Sequence, residues 1–295
     1  MLVVTGGSGF IGSHLCAALA VKKGEKPACI DLAPPANLSN CVYKKTDVRS
    51  LPDMLSACAG AKKIFHLAAQ ISVQKSIENP QEDFAINAIG TLNALEACRK
   101  NDATFIYASS AAIYGTPRYS PVDEKHPLLP LSPYGNSKLA GEKLCEIYAG
   151  TYGLRTTRLR FFNVYGMGQN PLSPYSGVIT KFATRIKNNE PPIIFGSGLQ
   201  TRDFVHVSDV AIACISASES KAAQGNAYNI GTGNETSVLG LANTMIKISG
   251  KKLSPAFKPA LEGEIEKSVA KIDAAKNDFG FSPKIPLEEG LRGLL

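Results

Sequence analysis

Short apolar runs alternate along this chain with stretches whose apolar residues recur every three or four positions. Leu2-Val-Val-Thr5, Pro27-Ala-Cys-Ile30, Val42-Tyr43 leading to Asp47-Val48, Ile64-Phe-His-Leu67, Thr104–Ala108 and Thr156–Phe161 have the length and composition of strands. Between them, Ile11, Leu15 and Leu19 form a helical stripe that runs to Gly24, and further helices are predicted near 52–59, 81–101 and 134–152. This alternation predicts an α/β fold of Rossmann type, a doubly wound parallel sheet with helices on both faces. Ligands in such sheets bind at the carboxyl ends of the strands. From about residue 166 the texture changes. Asn170–Gly177 has loop chemistry, helices are predicted over 178–188, 207–218 and 238–249, and Pro191–Gly196 and Ala227–Ile230 read as short strands. With no internal repeat, the expectation is a Rossmann domain made of 1–165 plus 204–232, interleaved with a smaller α/β lobe made of 166–203 plus 233–295.

The first strand is followed at once by Gly6-Gly7-Ser8-Gly9-Phe10-Ile11-Gly12, a G-x-x-G-x-x-G spacing that opens the first helix. A glycine turn there lets the backbone approach a pyrophosphate and aims the helix's free N–H groups at that charge. Gly6, Gly9, Phe10, Ile11 and Gly12 are therefore candidate cofactor-binding residues. Asp31 ends the second strand, 19 residues past Gly12. An acid at that strand tip suits hydrogen bonding to an adenosine ribose and would repel a 2′-phosphate, which favours NAD over NADP.

Tyr134-Gly-Asn-Ser-Lys138 lies about 24 residues beyond Ser109-Ser110, which ends a buried-looking strand. In a helix Tyr134 and Lys138 stand one turn apart on one face. An unperturbed phenol, with a pKa of about 10, is a poor base at neutral pH. A positive charge at about 5 Å and an effective dielectric of about 20 contributes around 3 kcal/mol to its ionisation. The expectation is a tyrosine lowered by its lysine into use as a proton acceptor and donor.

Composition narrows the classes. The 295 residues suffice for a full core, and 44% hydrophobic with 19% charged residues is ordinary for a globular protein. The net charge of +7 comes from scattered basic residues without Trp or an aromatic-basic stripe, which argues for anionic small ligands and against nucleic acid. Seven dispersed cysteines without C-x-x-C fit a reduced cytoplasmic setting and not a disulfide framework or zinc site. The four histidines lack ligand spacing, so no metal is expected. Cofactor-type sequence from Thr5 leaves no room for a leader, and no apolar run is long enough to span a bilayer.

These stretches, with His66-Leu-Ala-Ala-Gln70, Asn87-Ala-Ile-Gly-Thr91, Ser109-Ser-Ala-Ala-Ile-Tyr-Gly115, Ser132–Lys138, Arg160-Phe-Phe-Asn-Val-Tyr-Gly166 and Thr201-Arg-Asp-Phe-Val-His-Val207, resemble the extended short-chain dehydrogenase/reductases. Within them the likeness is to the NAD-dependent nucleotide-sugar epimerases/dehydratases, most closely the UDP-glucose 4-epimerases, and it spans essentially the whole chain. The resemblance implies Tyr134 as catalytic base and acid and Lys138 as its electrostatic partner and a ligand of the nicotinamide ribose. Ser110 would bind the reacting sugar hydroxyl. Asp47 and Val48 would contact adenine, and Leu67, Ala68, Ala69 and Ser109 would line the cofactor cleft. Asn163 and Arg202 would hold the substrate diphosphate, and Phe195 would lie near the nucleobase. Asn87, Gly90 and Thr91 read as braces, and His66 as a packed core histidine. Arg202 and Asp203 would alternatively form a surface ion pair.

The implied activity is C4 epimerization of a UDP-sugar by a homodimer whose helices near 81–101 and 134–152 pair. Alternatives are a keto-sugar reductase, a dehydratase, or an NAD-bound regulatory protein. Ala111 and Ala112 lack the acid pair a dehydratase needs, and the intact Ser110, Tyr134 and Lys138 weigh against a regulatory protein. Three positions depart from or refine the family pattern. Leu261 stands where a phosphate-binding Arg is expected, with Glu264 in place of Asp. A small Ser268, at a position that gates the sugar 2-substituent, implies tolerance of N-acetylated sugars.

Overall fold

The computed structural model describes residues 1–169, 177–260, 263 and 265–295. The predicted loop over 170–176 and positions Leu261, Glu262 and Glu264 lie outside the described residues. In chain order the strands are β1 (Leu2–Thr5), β2 (Ala28–Asp31), β3 (Val42–Lys45), β4 (Lys63–His66), β5 (Thr104–Ser110), β6 (Arg155–Phe161) and β7 (Asn163–Tyr165). They continue with β8 (Ile193–Phe195), β9 (Thr201–Arg202), β10 (Phe204–His206), β11 (Ala227–Ile230), β12 (Thr236–Ser237), β13 (Ala256–Lys258) and β14 (Lys267–Ser268). The helices are α1 (Phe10–Lys23), α2 (Leu51–Ala57), α3 (Val73–Glu78), α4 (Pro80–Phe84), α5 (Gly90–Lys100) and α6 (Pro133–Tyr152). Then come α7 (Val178–Lys187), α8 (Val207–Glu219), α9 (Val238–Ser249), α10 (Asp273–Phe279) and α11 (Leu287–Arg292).

Seven strands form one parallel sheet in the order β11-β6-β5-β4-β1-β2-β3. The order reverses between β1 and β4, so successive crossovers go to opposite faces and leave a crevice above the strand ends. Side chains alternate across each strand. Val4, Cys29, Phe65 and Ile106 pack with Leu15 and Leu19 of α1 and with α8 residues such as Val210 and Cys214. Val3, Ile30, Ile64 and Phe105 pack on the other face with Met54 of α2, Leu95 of α5 and Cys145 of α6. A third core gathers Ile179 and Phe182 of α7, Leu241 and Met245 of α9, and Ile194, Phe204 and Leu291. The remaining pairings are short: β7 with β10, β8 with β13, and β9 between β12 and β14.

The helix predicted over 81–101 is divided. A π-helical turn over Ala85–Ile89 separates α4 from α5. It carries Asn87, whose amide nitrogen donates to Gln70 O at 3.0 Å and Ser137 Oγ at 3.0 Å. The wide turn thus places a polar side chain against α6, where an unbroken apolar stripe would not; such bulges favour functional positions. The six-residue α3 is too short for periodicity to reveal and starts from Ser72, whose hydroxyl accepts Lys75 N–H at 3.1 Å.

A buried ion pair ties α6 to the sheet. Arg160 of β6 donates to Glu142 of α6 at 2.9 and 2.7 Å, with both side chains almost fully enclosed. Arg160 also donates to Tyr114 Oη at 2.9 Å, which donates in turn to Asn229 Oδ1 of β11 at 2.6 Å. Removing one partner of a buried pair leaves the other charge uncompensated, at a cost of about 3–5 kcal/mol. Glu142→Gln should lower the urea midpoint by an amount corresponding to that loss at unchanged slope; a midpoint within error of wild type would show that the pair does not anchor α6.

Candidate active site

The crevice above the strand ends is a cavity of about 740 Å³. Its walls include Gly6, Gly9, Phe10, Ile11, Gly12, Asp31, Asp47, Val48, Leu67, Ala68, Ala69, Ser109, Ser110, Tyr134, Lys138 and Asn163. The sequence-derived candidates other than Phe195 and Arg202 therefore line one space. Two glycines make the turn possible. Gly6 has φ of 68°, and a Cβ there would lie 2.6 Å from Ala68 N. A Cβ on Gly12 would collide with the Gly6 carbonyl oxygen, so only glycine lets the start of α1 close over the turn. Gly9 caps α1 without a side-chain hydrogen bond, which leaves the first-turn amides to an anionic ligand. At the tip of β2, the Asp31 carboxylate accepts Ser8 N–H at 3.0 Å and Leu32 N–H at 2.8 Å. Asp47 is clasped by Arg49, with contacts of 2.6 and 3.0 Å, and the guanidinium holds its carboxyl below the usual range. Arg49 also lines the cavity and was not anticipated. Among the described residues, Ser109 Oγ is buried with no hydrogen-bond partner. A glycine cradle, free helix amides, an acid at the strand tip and an orphaned hydroxyl fit a dinucleotide.

The reactive end is built by the close approach of α6 to β5. Ser132 caps α6 by accepting Gly135 N–H at 3.1 Å, and Pro133 occupies its first turn. A Cβ on Gly135 would lie 2.8 Å from Ala112 O, so the helix start sits directly on the turn after Ser110. Tyr134 and Ser110 consequently line the same wall of the cavity. Lys138, only 4% exposed, donates to Ala108 O at 2.9 Å and lies over the Tyr107 ring at 5.3 Å.

The electrostatics correct one expectation. Burial pushes the Tyr134 phenol up, opposed by the nearby Ser110 hydroxyl, with the Asp83 carboxylate adding to the rise. The anticipated lowering by Lys138 does not prevail, because its ammonium is committed to the Ala108 carbonyl and the phenol is desolvated. Lys138 itself is pushed down by burial to about 8, with Asp83 opposing.

Asp83 belongs to a network that sequence reasoning missed. Its carboxylate accepts Ser137 Oγ at 2.5 Å, Gln70 Nε2 at 2.8 Å and Asn87 Nδ2 at 3.1 Å. The signal was present: Asp83 precedes Asn87 by one helical turn, and Ser137 lies between Tyr134 and Lys138. His66 is buried between Thr5 Oγ1 at 2.8 Å and Thr91 Oγ1 at 3.2 Å, and burial pushes it down to about 3. It is a neutral core histidine.

Two candidates do not line the cavity. Phe195 lies on β8 and is 37% exposed, and Arg202 on β9 donates to the Thr201 and Ile265 carbonyls at 2.8 and 2.7 Å. Asp203, instead of forming a surface pair, is buried and accepts N–H groups from Thr232, Gly233 and Ala270. Ser268 pairs with Arg202 across β14 and β9. The departure at Leu261 falls outside the described residues.

A lysine lowered on folding from about 10.4 to about 8 costs about 3 kcal/mol at neutral pH, a penalty that fades as pH rises through 8 towards the unfolded value. In cofactor-stripped protein, Lys138→Met should be more stable than wild type by about 1–2 kcal/mol at pH 7, since loss of the Ala108 hydrogen bond offsets part of the gain. That advantage should shrink between pH 8 and 10.5, as read by chemical denaturation; an advantage that grew with pH would contradict the assignment.

Residues 2–231 match the NAD dependent epimerase/dehydratase family. A Methanocaldococcus jannaschii protein, named provisionally as a UDP-glucose 4-epimerase, is 40% identical over 299 residues, covering 99% of this chain and 96% of that one. The Thermotoga maritima UDP-glucose 4-epimerase, solved with UDP-glucose, superposes with a TM-score of 0.93 at 35% identity, covering 99% and 96% of the two chains. The UDP-N-acetylglucosamine 4-epimerase of Methanobrevibacter ruminantium, solved with UDP-N-acetylmuramic acid, superposes with a TM-score of 0.93 at 32% identity over the same shares. No helix among the described residues is long and apolar enough to cross a membrane. With its glycine turn, acidic strand tip and Ser-Tyr-Lys group in one crevice, the chain belongs to the NAD-dependent epimerase/dehydratase family and, within it, is a nucleotide-sugar 4-epimerase-like enzyme.

Proposed function

We propose that this enzyme interconverts UDP-glucose and UDP-galactose, inverting C4 through a transient 4-keto sugar. The observation that carries the reading is the meeting of Tyr134, Ser110 and Lys138 in the same cavity as the glycine turn and Asp31. Tyr134 Oη takes the proton of the 4-hydroxyl and gives it back. Ser110 orients that hydroxyl, and Lys138 binds the nicotinamide ribose and holds positive charge at the buried end of the site. When bound, NAD would supply a reversible hydride acceptor with a fixed positive charge; the hydride removed from C4 would return to the opposite face of the keto sugar, so no net oxidation would occur. In the protein alone burial favours the protonated phenol; the same low dielectric magnifies the positive charge that NAD would bring into the cavity, which would favour the phenolate that takes the proton.

Asn163, at the start of β7, faces this cavity and would bind the diphosphate, with Arg202 and Phe195 serving the nucleotide. Most of the third core, with the short sheets β8–β13 and β12–β9–β14, would form the substrate lobe, 166–203 with 233–295, against the NAD-binding part, 1–165 with 204–232. Ala111 and Ala112 follow Ser110 directly and offer no carboxylate for dehydration. Asp31 at the ribose end disfavours an NADP-linked reductase. Exposed apolar side chains on α3, α4 and α6, including Ile77, Phe84 and Ile147, support a homodimer through those helices.

Denaturing the purified protein should release about one NAD per chain, and the native protein should convert UDP-galactose to UDP-glucose without added cofactor. Tyr134→Phe should keep its NAD and lose about 10²–10⁴-fold in kcat. A requirement for added NADPH, or full activity in Tyr134→Phe, would overturn the reading. On the Ser268 argument, UDP-N-acetylglucosamine should also turn over, and strict rejection of it would refute that part alone.

A further inference from the structure

Three cysteines that neither the cofactor site nor the chemistry uses converge behind the glycine turn. Cys16 lies on the inner face of α1, Cys29 is the second residue of β2, and Cys41 immediately precedes β3. Their sulfur atoms all lie within 4.8 Å of one another, and the side chains are 2%, 0% and 5% exposed. Among the described residues, the other four cysteines of the seven form no such group. Two ligands from α1 and β2 and a third from the residue that leads into β3 are thereby brought together by the fold. A metal held trigonally with bonds of about 2.3 Å places its sulfurs about 4 Å apart, which this spacing meets after small rotamer shifts.

The surroundings add a chemical bias. Ser8 Oγ stands 3.6 Å from Cys29 Sγ. The apolar neighbours Val4 and Leu15 exclude water that a hard cation would retain. Soft sulfur donors in a dry, three-fold setting select closed-shell thiophilic ions over magnesium or calcium.

We propose that Cys16, Cys29 and Cys41 form a three-thiolate site for a thiophilic metal ion of the copper(I), zinc or cadmium class. A bound divalent ion offsets two of the three negative charges left by loss of the thiol protons. It also cross-links α1, β2 and the start of β3 directly beneath Gly7, where a Cβ would lie only 2.6 Å from Cys29 Sγ. Loading therefore stiffens the floor of the phosphate-binding turn.

The test is to titrate the reduced, purified holoenzyme with Cd²⁺ alone. The expected result is a sulfur-to-cadmium charge-transfer band saturating at one ion per chain, with a higher unfolding temperature. A native mass spectrum should show one cadmium gained and three protons lost. Cys16→Ala, Cys29→Ala and Cys41→Ala should each abolish or sharply weaken the band, whereas Cys214→Ala should keep it. A band that survives undiminished in Cys29→Ala, no saturation at one ion, or loss of fewer than three protons would overturn the site. Should an alanine variant fail to fold, the proton count on the wild-type protein decides alone.

Discussion

The placement of one buried ammonium organises the reactive half of this molecule. Lys138 has left water almost completely, and a lone charge in such a setting is tolerated only where the protein supplies dipoles to meet it. The Ala108 carbonyl at the end of β5 and the face of Tyr107 do so directly, and Asp83 does so from a distance. Each requires α6 to lie flush against β5, which is why Gly135 and Gly141 occupy the positions where any side chain would strike Ala112 or Tyr107. The Glu142–Arg160 pair then pins the next turns of the same helix to β6. Tyr134 is carried into the cavity as a consequence of this docking.

Much of that arrangement was legible in the residues. The glycine turn, Asp31 and the parallel order followed from local rules, since each is a backbone requirement expressed over a few adjacent positions. The helix from Pro133 to Tyr152 and its Tyr-Lys spacing were likewise visible. What escaped notice depends on partners far apart in the chain. Asp83 acquires its meaning only when Gln70 and Ser137 arrive beside it, and the π turn that presents Asn87 has no signature in a hydrophobic pattern. The two-residue strands β9, β12 and β14 are shorter than any periodicity can register.

The tyrosine shows where a pairwise argument stops. One turn of helix does bring Lys138 near Tyr134 in sequence terms, and Coulomb's law at moderate dielectric predicts an acidified phenol. In the folded chain both groups are desolvated, and desolvation acts against each charge before the pair interaction is counted. The protein alone therefore favours a proton on the phenol and weakens the lysine's hold on its own.

The unequal sheets have an evolutionary reading. Seven strands bonded in one continuous parallel array fix the glycine turn, Asp31 and the Ser-Tyr-Lys group to neighbouring backbones, so a change in any central strand disturbs all of them at once. Beyond that array, pairings of two or three residues carry few main-chain bonds and little shared register. Drift there is cheap and local. On the proposed division into two lobes, a lineage built on this scaffold would retune its sugar or base by rewriting the periphery, while the strands that carry the dinucleotide crevice stay fixed.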